Sequence, residues 1–243
     1  MRNIAPMNRR FALLAPLLMA PLSLALIAAA PAQRRRAPTP PPPAAPLPDV
    51  VRVAITTDLG TITLDLDGKR APVSTRNFLR YAEQRRLDGT TFYRVMRLPW
   101  GTPPNGLIQG GIQGDPRRAL PPIAHEPTSA TGILHKAGTI SMARWAPGTA
   151  RADFSIMLSD MPGLDADPAG TTPDAQAGFA AFGQVVEGMD VVRRIYDVPL
   201  STTKGEGVMK GQMIERPVRI ISARRVARPA PMPLPEPAPP AAK

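Results

Sequence analysis

Two stretches of alternating apolar residues, separated by a short turn, most constrain the fold of this chain. Apolar and more polar residues alternate over 51–56 and again over 62–66, and Asp58-Leu59-Gly60 lies between the two stretches. A period of two predicts strands with one buried face, and a short glycine-containing connection between such strands predicts a β-hairpin. The chain is therefore expected to contain an antiparallel sheet.

The remaining sequence pattern predicts more short strands and two helices. Pro72 suits a first helical position, and the apolar spacing after it predicts a helix over 72–86; a second helix fits 189–195. Further strands are predicted at 90–96, 107–109, 138–142, 154–158, 180–186 and 218–225. This order favours a mostly antiparallel β protein, and a closed barrel is the simplest way to avoid exposed sheet edges.

Proline-rich segments limit the part of the chain that folds. Residues 37–48 and 229–243 each contain seven prolines, and such segments favour extended spacers because they cannot bury enough apolar surface. We therefore expect a Pro/Ala-rich linker over 33–49 and a disordered tail over 228–243. A role as a tether or as a ligand for a proline-binding partner is the alternative. The 178 residues from 50 to 227 suffice for one domain.

The first 32 residues have the layout of an export signal. Arg9 and Arg10 precede an apolar run over 11–30, and Ala30-Pro31-Ala32 supplies small residues for cleavage after Ala32. An uncleaved anchor is the alternative, because a run of about twenty residues also suits a bilayer. In either case we expect the domain outside the cytoplasm, and the predicted location is the periplasm of a Gram-negative bacterium.

Composition argues against metal and nucleophile chemistry. The chain has no cysteine and only two histidines, His125 and His135, so thiolate sites are excluded and a multi-histidine metal centre is hard to assemble. The group of aspartates at 160, 165 and 167 lacks the spacing of a calcium loop and is better explained as a turn. Ser141 and Ser155 have no evident His or Asp partners, so a hydrolase triad is not predicted. No metal and no cofactor is expected.

The net charge of +11 does not indicate a nucleic-acid-binding protein. Six of the arginines belong to the export signal and the linker, and residues 50–227 keep 22 basic and 17 acidic residues, a balance of +5. These charges are spread along the chain and form no basic stripe. No nucleic-acid partner is therefore predicted.

Several segments of the domain, in order, resemble the cyclophilin-type peptidyl-prolyl cis-trans isomerases. They are 53–66, Ala71-Pro-Val-Ser-Thr-Arg-Asn-Phe78, Asp88-Gly-Thr-Thr-Phe-Tyr-Arg-Val95, Leu107-Ile-Gln-Gly-Gly111, Ala137-Gly-Thr-Ile-Ser-Met-Ala143, Phe154 and Phe182-Gly-Gln-Val-Val-Glu-Gly-Met-Asp-Val191. Several ordered motifs specify a family far better than one motif does. The resemblance implies a mainly β fold: a closed eight-stranded antiparallel β-barrel capped by two α-helices, with the active face outside.

The reaction of this family is rotation about the bond that precedes proline. Its barrier is about 18–20 kcal/mol because the amide has partial double-bond character. A proline pocket and a fixed donor that favours the twisted amide are sufficient, without nucleophile, metal or cofactor. By resemblance, Arg94 is the catalytic arginine and Gln109 the glutamine that orients substrate and arginine. Gln113 offers a competing register for Gln109.

The resemblance also implies a substrate-binding surface. Leu107 and Ala143 match pocket positions, and Leu164 matches a position at the pocket rim. The predicted substrate-binding residues are Leu107, Met142, Ala143, Phe154, Leu164, Trp100, Trp145 and Phe179.

The chain departs from the family pattern at this surface. Gly106 replaces an aromatic residue and Ser155 replaces the second of two phenylalanines, so two walls of the proline pocket are expected to be missing. Asp153 replaces a neutral amide beside Ser155. Trp100 or Trp145 is expected either to supply the lost wall or to pin its loop to the barrel.

The sequence thus predicts a monomeric, exported peptidyl-prolyl cis-trans isomerase. Its predicted partners are proline-containing, unfolded or partly folded exported polypeptides. The alternative is a cyclophilin-like barrel that has lost much of its proline pocket and works as a binding or chaperone module. A proline-sized apolar pocket beside Arg94 and Gln109 would favour the enzyme.

Overall fold

The computed structural model of the protein describes residues 46–101 and 105–228. The predicted export signal, residues 33–45 of the predicted linker and the tail after Arg228 lie outside the described residues. Within the described ranges, no helix is both long enough and apolar enough to cross a membrane.

The described residues contain eight strands, which close into a barrel. They are β1 (Val50–Thr57), β2 (Gly60–Asp67), β3 (Thr91–Arg97), β4 (Gly106–Gly111), β5 (Thr139–Met142), β6 (Phe154–Met157), β7 (Ala180–Glu187) and β8 (Met213–Arg225). The order around the barrel is β1-β2-β7-β5-β6-β4-β3-β8, and every neighbouring pair is antiparallel. The predicted closed eight-stranded barrel is confirmed.

Helices lie against the barrel at several points. They are α1 (Pro72–Glu83), α2 (Thr128–Thr131), α3 (Pro173–Ala177) and α4 (Met189–Tyr196). The two predicted helices are α1 and α4, and α1 packs on β2, β7 and β8 whereas α4 packs on β2 and β4. Helix α1 ends three residues earlier than predicted, and Arg85 adopts a positive φ of 55° just after it. Helices α2 and α3 are too short to show a helical period in the sequence.

Strands β1 and β2 form the predicted hairpin, with Thr57 opposite Gly60 at the turn. All the apolar residues of the alternating pattern are buried, and Gly60 has a φ of 128°, which favours glycine. Buried aromatic rings from β3, β6, β7 and α1 pack together in the core. The ring of Phe154 meets Phe78 edge-on at 5.3 Å and Phe92 at 5.6 Å. Such contacts fix a dense core on which the outer face is built.

A second, smaller apolar cluster lies outside the main core. Leu107, Met157 and Met161 are buried in it, and Met96, Leu98 and Leu164 pack against them. Strands β3, β4 and β6 contribute to this cluster from their outward-facing side chains. The cluster therefore places apolar surface on the outside of the barrel, beside Arg94 and Gln109.

Candidate active site

A groove of about 780 Å³ lies on the outer face of β3, β4, β5 and β6. Loop residues near 113–119 and the segment that leads into β8 complete its walls. Most of the predicted site residues line this groove: Arg94, Leu107, Gln109, Met142, Ala143, Trp145, Leu164 and Phe179. Residues that are up to 85 positions apart in the sequence thus meet at one surface.

Two predicted substrate-binding residues, Phe154 and Trp100, do not line the groove. Phe154 is 0% exposed because its side chain points into the barrel, and the next residue along β6, Ser155, faces the groove instead. The assignment of Phe154 to substrate binding is therefore wrong. Trp100 is 60% exposed outside the groove, so it neither forms a pocket wall nor is buried as a pin for its loop.

Arg94 lies in a continuous chain of polar side chains, which we call the arginine network: Gln212, Arg94, Gln109, Tyr93 and Asp153. The Arg94 Nη1 donates to Gln109 Oε1 at 2.7 Å, and its Nε and Nη2 donate to Gln212 Oε1 at 2.9 and 2.7 Å. Gln109 Nε2 then donates to the Tyr93 hydroxyl at 2.8 Å, which donates to Asp153 Oδ1 at 3.1 Å. The guanidinium is thus held on two sides.

A β-bulge explains how Tyr93 and Arg94 reach the same groove. Adjacent residues of a regular strand point to opposite faces of a sheet. In β3 the pairing with both β4 and β8 shifts between Phe92 and Arg94, and Arg94 then lies opposite Gln109. Because a bulge redirects side chains locally, Tyr93 joins Arg94 on the outer face.

Gln212 reaches Arg94 from the segment before β8. The main-chain N–H of Val95 donates to the Gln212 carbonyl at 2.8 Å, which fixes this segment beside β3. Gly211, just before it, has a φ of 76° that other residues rarely adopt. The sequence offered no signal for Gln212, because it lies 118 positions from Arg94 and belongs to no motif.

Burial shifts the ionisation of the arginine network. Desolvation lowers the pKa of Arg94 from its ordinary value, although arginine remains charged at any physiological pH. Desolvation likewise raises the pKa of Asp153, and hydrogen bonds from the Gln113 main chain and Tyr93 partly oppose that shift. The Tyr93 phenol, buried beside Asp153, has a strongly raised pKa and stays neutral.

Methionines form much of the apolar wall beside Arg94. Met96, Met157, Met209 and Met213 line the groove together with Leu107. Methionine is flexible and fills irregular apolar gaps, and strand pairing places Met96, Met157 and Met213 next to Arg94, Gln109 or Leu107. The groove is therefore large enough for a proline ring, and its wall beside the arginine network is apolar.

Gly106 is accommodated by close backbone packing. A Cβ atom at this position would lie 2.1 Å from the Met96 carbonyl oxygen and 2.9 Å from the Tyr196 ring, and the φ of Gly106 is 150°. An aromatic side chain cannot be placed on this backbone without moving β3 or α4. The loss of the aromatic residue is thus coupled to the local path of the chain.

The far end of the groove carries an aromatic and cationic edge. The Arg144 guanidinium lies 4.6 Å from the centre of the Phe179 ring and donates to the Gly178 carbonyl at 2.6 Å. Trp145 follows at the rim and is 83% exposed. Its indole is therefore available to a bound polypeptide rather than buried as a pocket wall.

Ser141 has the His and Asp partners that the sequence did not reveal. His135 Nε2 lies 2.9 Å from Ser141 Oγ, and its Nδ1 lies 2.6 Å from Asp165 Oδ1. We call these three residues the histidine network. The order of groups is that of a hydrolase triad, but Ser141 is 2% and His135 1% exposed, so the hydroxyl is poorly placed to attack a substrate. Desolvation lowers the pKa of His135, and Asp165 opposes this shift.

The aspartates near Asp165 are used in separate turns. Asp160 accepts hydrogen bonds from the Ala137 main chain and Lys136 Nζ, and Asp167 accepts one from the Ala169 main chain. In the part of the chain that the structure describes, no group of three or more His, Asp and Glu residues is arranged to hold a metal.

Comparison with known proteins gives a consistent family. Residues 52–225 match the family model described as cyclophilin type peptidyl-prolyl cis-trans isomerase/CLD. A peptidyl-prolyl cis-trans isomerase of Acinetobacter baylyi is 35% identical over 176 residues, which are 71% of this chain and 84% of that protein. Peptidyl-prolyl cis-trans isomerase A of Dickeya dadantii is 35% identical over 150 residues, 60% of this chain and 71% of that protein.

Solved structures agree with the fold. A cyclophilin type peptidyl-prolyl cis-trans isomerase of Cryptosporidium parvum superposes with a TM-score of 0.57 at 19% identity, covering 74% of this chain and 99% of that one. The same protein in the presence of the dipeptide Ala-Pro gives a TM-score of 0.57 at 18% identity, with 73% and 99% covered. At such identities the likeness concerns the fold alone.

Proposed function

From the premise that this chain belongs to the cyclophilin-type peptidyl-prolyl cis-trans isomerases, we propose that it accelerates X-Pro bond rotation in unfolded or partly folded exported polypeptides. Isomerisation of the bond before proline is the activity that gives the matched family and its relatives their names. The uncatalysed rotation takes tens to hundreds of seconds, slow enough to limit folding. A protein that shortens this step would speed the folding of its clients.

The arginine network carries this proposal. In the twisted amide the proline nitrogen becomes pyramidal and regains a lone pair, which a fixed donor stabilises only in that state. Arg94 is such a donor, because Gln109 and Gln212 fix its orientation while the guanidinium has further N–H groups for a substrate. Partial burial strengthens its interaction with the reacting amide.

The apolar wall beside Arg94 supplies the second requirement. A proline ring placed against Leu107, Met157 and Met213 would be held by dispersion and desolvation, without a directional contact. The peptide bond to be rotated would then lie next to the guanidinium. The single observation that supports an active enzyme is this juxtaposition of an oriented arginine and an apolar pocket.

Exchange NMR on a short Ala-Pro peptide tests the activity. We expect the purified protein to accelerate cis-trans exchange and the Arg94→Ala variant to lose at least about 100-fold in rate, because the donor to the twisted state is removed. Arg97→Ala is the matched control: Arg97 lies on the same strand, but its guanidinium donates to the carbonyls of Tyr196 and Val198. A folded wild-type protein without any acceleration would overturn the proposal.

A binding or chaperone module is the second candidate function. It is favoured by the replacement of two pocket aromatics with Gly106 and Ser155. If the wild-type protein binds a proline peptide in a titration but leaves its exchange rate unchanged, this reading replaces the enzyme.

The exported location rests on the pattern of the first 32 residues. Expression of the full chain in a Gram-negative host, followed by fractionation and mass spectrometry of the N-terminus, tests it. We expect a periplasmic protein that begins at Gln33. An intact N-terminus in the membrane fraction would indicate the anchor instead, and a full-length cytoplasmic protein would contradict export.

A further inference from the structure

The arginine network does not stop at the Gln109 amide but ends at a carboxylate. Asp153 Oδ1 accepts two hydrogen bonds, one from the Tyr93 hydroxyl at 3.1 Å and one from the Gln113 main-chain N–H at 2.8 Å. Tyr93 and Gln109 are 6% and 8% exposed, so water can replace few of these contacts. Gly111 makes room for the carboxylate, since a Cβ there would lie 2.6 Å from Asp153 Oδ1.

The charge of Asp153 sets the direction of the hydrogen bonds that link it, through Tyr93 and Gln109, to Arg94. An ionised carboxylate only accepts, so the Tyr93 hydroxyl must donate to it. The phenol oxygen then accepts from Gln109 Nε2, and the Gln109 Oε1 is left facing Arg94. If the Gln109 amide were reversed, its NH₂ group would face the donors of Arg94, which is unfavourable.

We propose that Tyr93 and Asp153 are positioning residues for isomerisation, which hold Gln109 in the amide orientation that presents its oxygen to Arg94. This inference rests on the proposed function and assigns the two residues a role in it. Neither residue needs to touch the substrate. They act through Gln109 on the orientation of the guanidinium, and misorientation of a donor by a small amount is costly in catalysis.

A dependence on pH follows from the same geometry. When Asp153 takes up a proton, its carboxyl group becomes able to donate, and the direction of the Tyr93 hydroxyl is no longer fixed. Burial raises the pKa of Asp153, so this occurs at a higher pH than for an exposed aspartate. The phenols of Tyr93 and Tyr81 interact with Asp153, Arg94 interacts with Tyr93, and Arg151 interacts with Tyr81 and lines the same groove. None of these changes charge in the acid range.

The test is kcat/KM for an Ala-Pro peptide as a function of pH, in three forms of the full chain. In Tyr93→Phe the hydroxyl is lost, and we expect kcat to fall about five- to tenfold with KM unchanged. In Asp153→Asn the side chain is neutral at every pH and can donate as well as accept, like the protonated carboxyl group, so it no longer fixes the direction of the Tyr93 hydroxyl. We expect this variant to show at neutral pH the lowered kcat that wild type reaches in acid, and to lose the acid decline.

Tyr196→Phe is the matched control for Tyr93→Phe. Its hydroxyl is also lost from a buried tyrosine, but that hydroxyl donates to the Asn105 carbonyl, outside the arginine network. We expect wild-type kcat in this variant. Circular dichroism of each variant establishes that it is folded, and Asp153→Asn provides a second test if Tyr93→Phe does not fold.

A measurement that does not depend on enzyme activity tests this inference separately from the proposed function. The side-chain NH₂ signals of Gln109 in ¹H-¹⁵N spectra should move in Tyr93→Phe and stay in place in Tyr196→Phe. If the wild type is active, and kcat, the pH profile and the Gln109 signals are unchanged in Tyr93→Phe and Asp153→Asn, the positioning role alone would be overturned. A wild type without activity would overturn the proposed function, while the Gln109 signals would still test the orientation.

Discussion

The arginine network and the histidine network are built alike and placed differently. Each leads from a carboxylate through hydrogen-bonded side chains to a residue that lines the groove, Arg94 in one and Ser141 in the other. Arg94 remains partly exposed and has further N–H donors for a substrate, whereas Ser141 and His135 are buried. The difference teaches that hydrogen-bond order does not define a reactive group: access to a substrate does.

The buried histidine network connects two segments that line the groove. His135 links Ser141 on β5 to Asp165, which follows the turn that carries Leu164 at the groove rim. A buried polar group that is fully hydrogen-bonded fixes local structure, and removal of one partner leaves the others unsatisfied. We therefore expect the histidine network to act on stability and the arginine network on catalysis.

The largest expected effect is on the catalytic side of this comparison. In Arg94→Lys the positive charge is kept, but the planar fork that reaches Gln109 and Gln212 is lost. We expect kcat/KM for an Ala-Pro peptide to fall about 100-fold, with the free energy of unfolding changed by less than about 1 kcal/mol. Wild-type activity in this variant would show that charge alone suffices and would remove the argument from orientation.

Changes in the histidine network should have the reverse effect, a loss of stability with little loss of activity. In His135→Ala both Ser141 and Asp165 lose a buried partner, so the free energy of unfolding should fall by about 2–3 kcal/mol, measured by urea denaturation. The folded fraction should keep kcat/KM within about threefold, because no member of the arginine network is touched. A large loss of activity without a loss of stability would contradict this prediction and would show that the histidine network takes a direct part in catalysis.

A pH series sharpens the assignment of His135. Burial lowers its pKa in the folded protein below the ordinary value of about 6.5, so the folded state binds fewer protons than the unfolded state. This contribution to stability is complete above about pH 6.5 and is lost as the pH falls below that value. We expect unfolding free energies at pH 7.5 and 5.5 to differ less in His135→Gln than in wild type.

His125→Gln is the control for this series, since it alters the other histidine of the chain. His125 contacts the Ala177 carbonyl outside the histidine network. An equal reduction of the pH dependence in both variants would contradict the assignment to His135.

The barrel could be predicted from the sequence because its signals are local or repeated. The alternation at Val53 and Leu64 specifies buried faces, and the ordered motifs around Arg94 and Gln109 carry the family resemblance. The partners of Arg94 were less visible. The outward position of Tyr93 depends on a bulge, and Gln212 arrives through a distant segment, so neither follows from periodicity.

Predictions from the sequence were wrong where the role of a residue depends on the direction in which its side chain points. Phe154 lies in the core because β6 alternates, although the family motif contains it. The chain has Gly106 and Ser155 where pocket aromatics were expected, and Met157 and Met213 are among the residues that line the groove. Methionine carries no positional signature in a sequence, since it packs in many environments.

The smallest expected effect tests how far the groove extends beyond the arginine network. Trp145 stands at the rim with most of its indole exposed, so its removal costs little packing and should leave the free energy of unfolding unchanged. If polypeptides lie along the groove, they lose one aromatic contact in Trp145→Ala, and KM should rise about two- to threefold with kcat unchanged. Trp100→Ala is the control, because Trp100 is also exposed but lies outside the groove. An unchanged KM in Trp145→Ala, or an equal change of KM in both variants, would show that Trp145 makes no specific contact with the polypeptide and would contradict this extension of the groove.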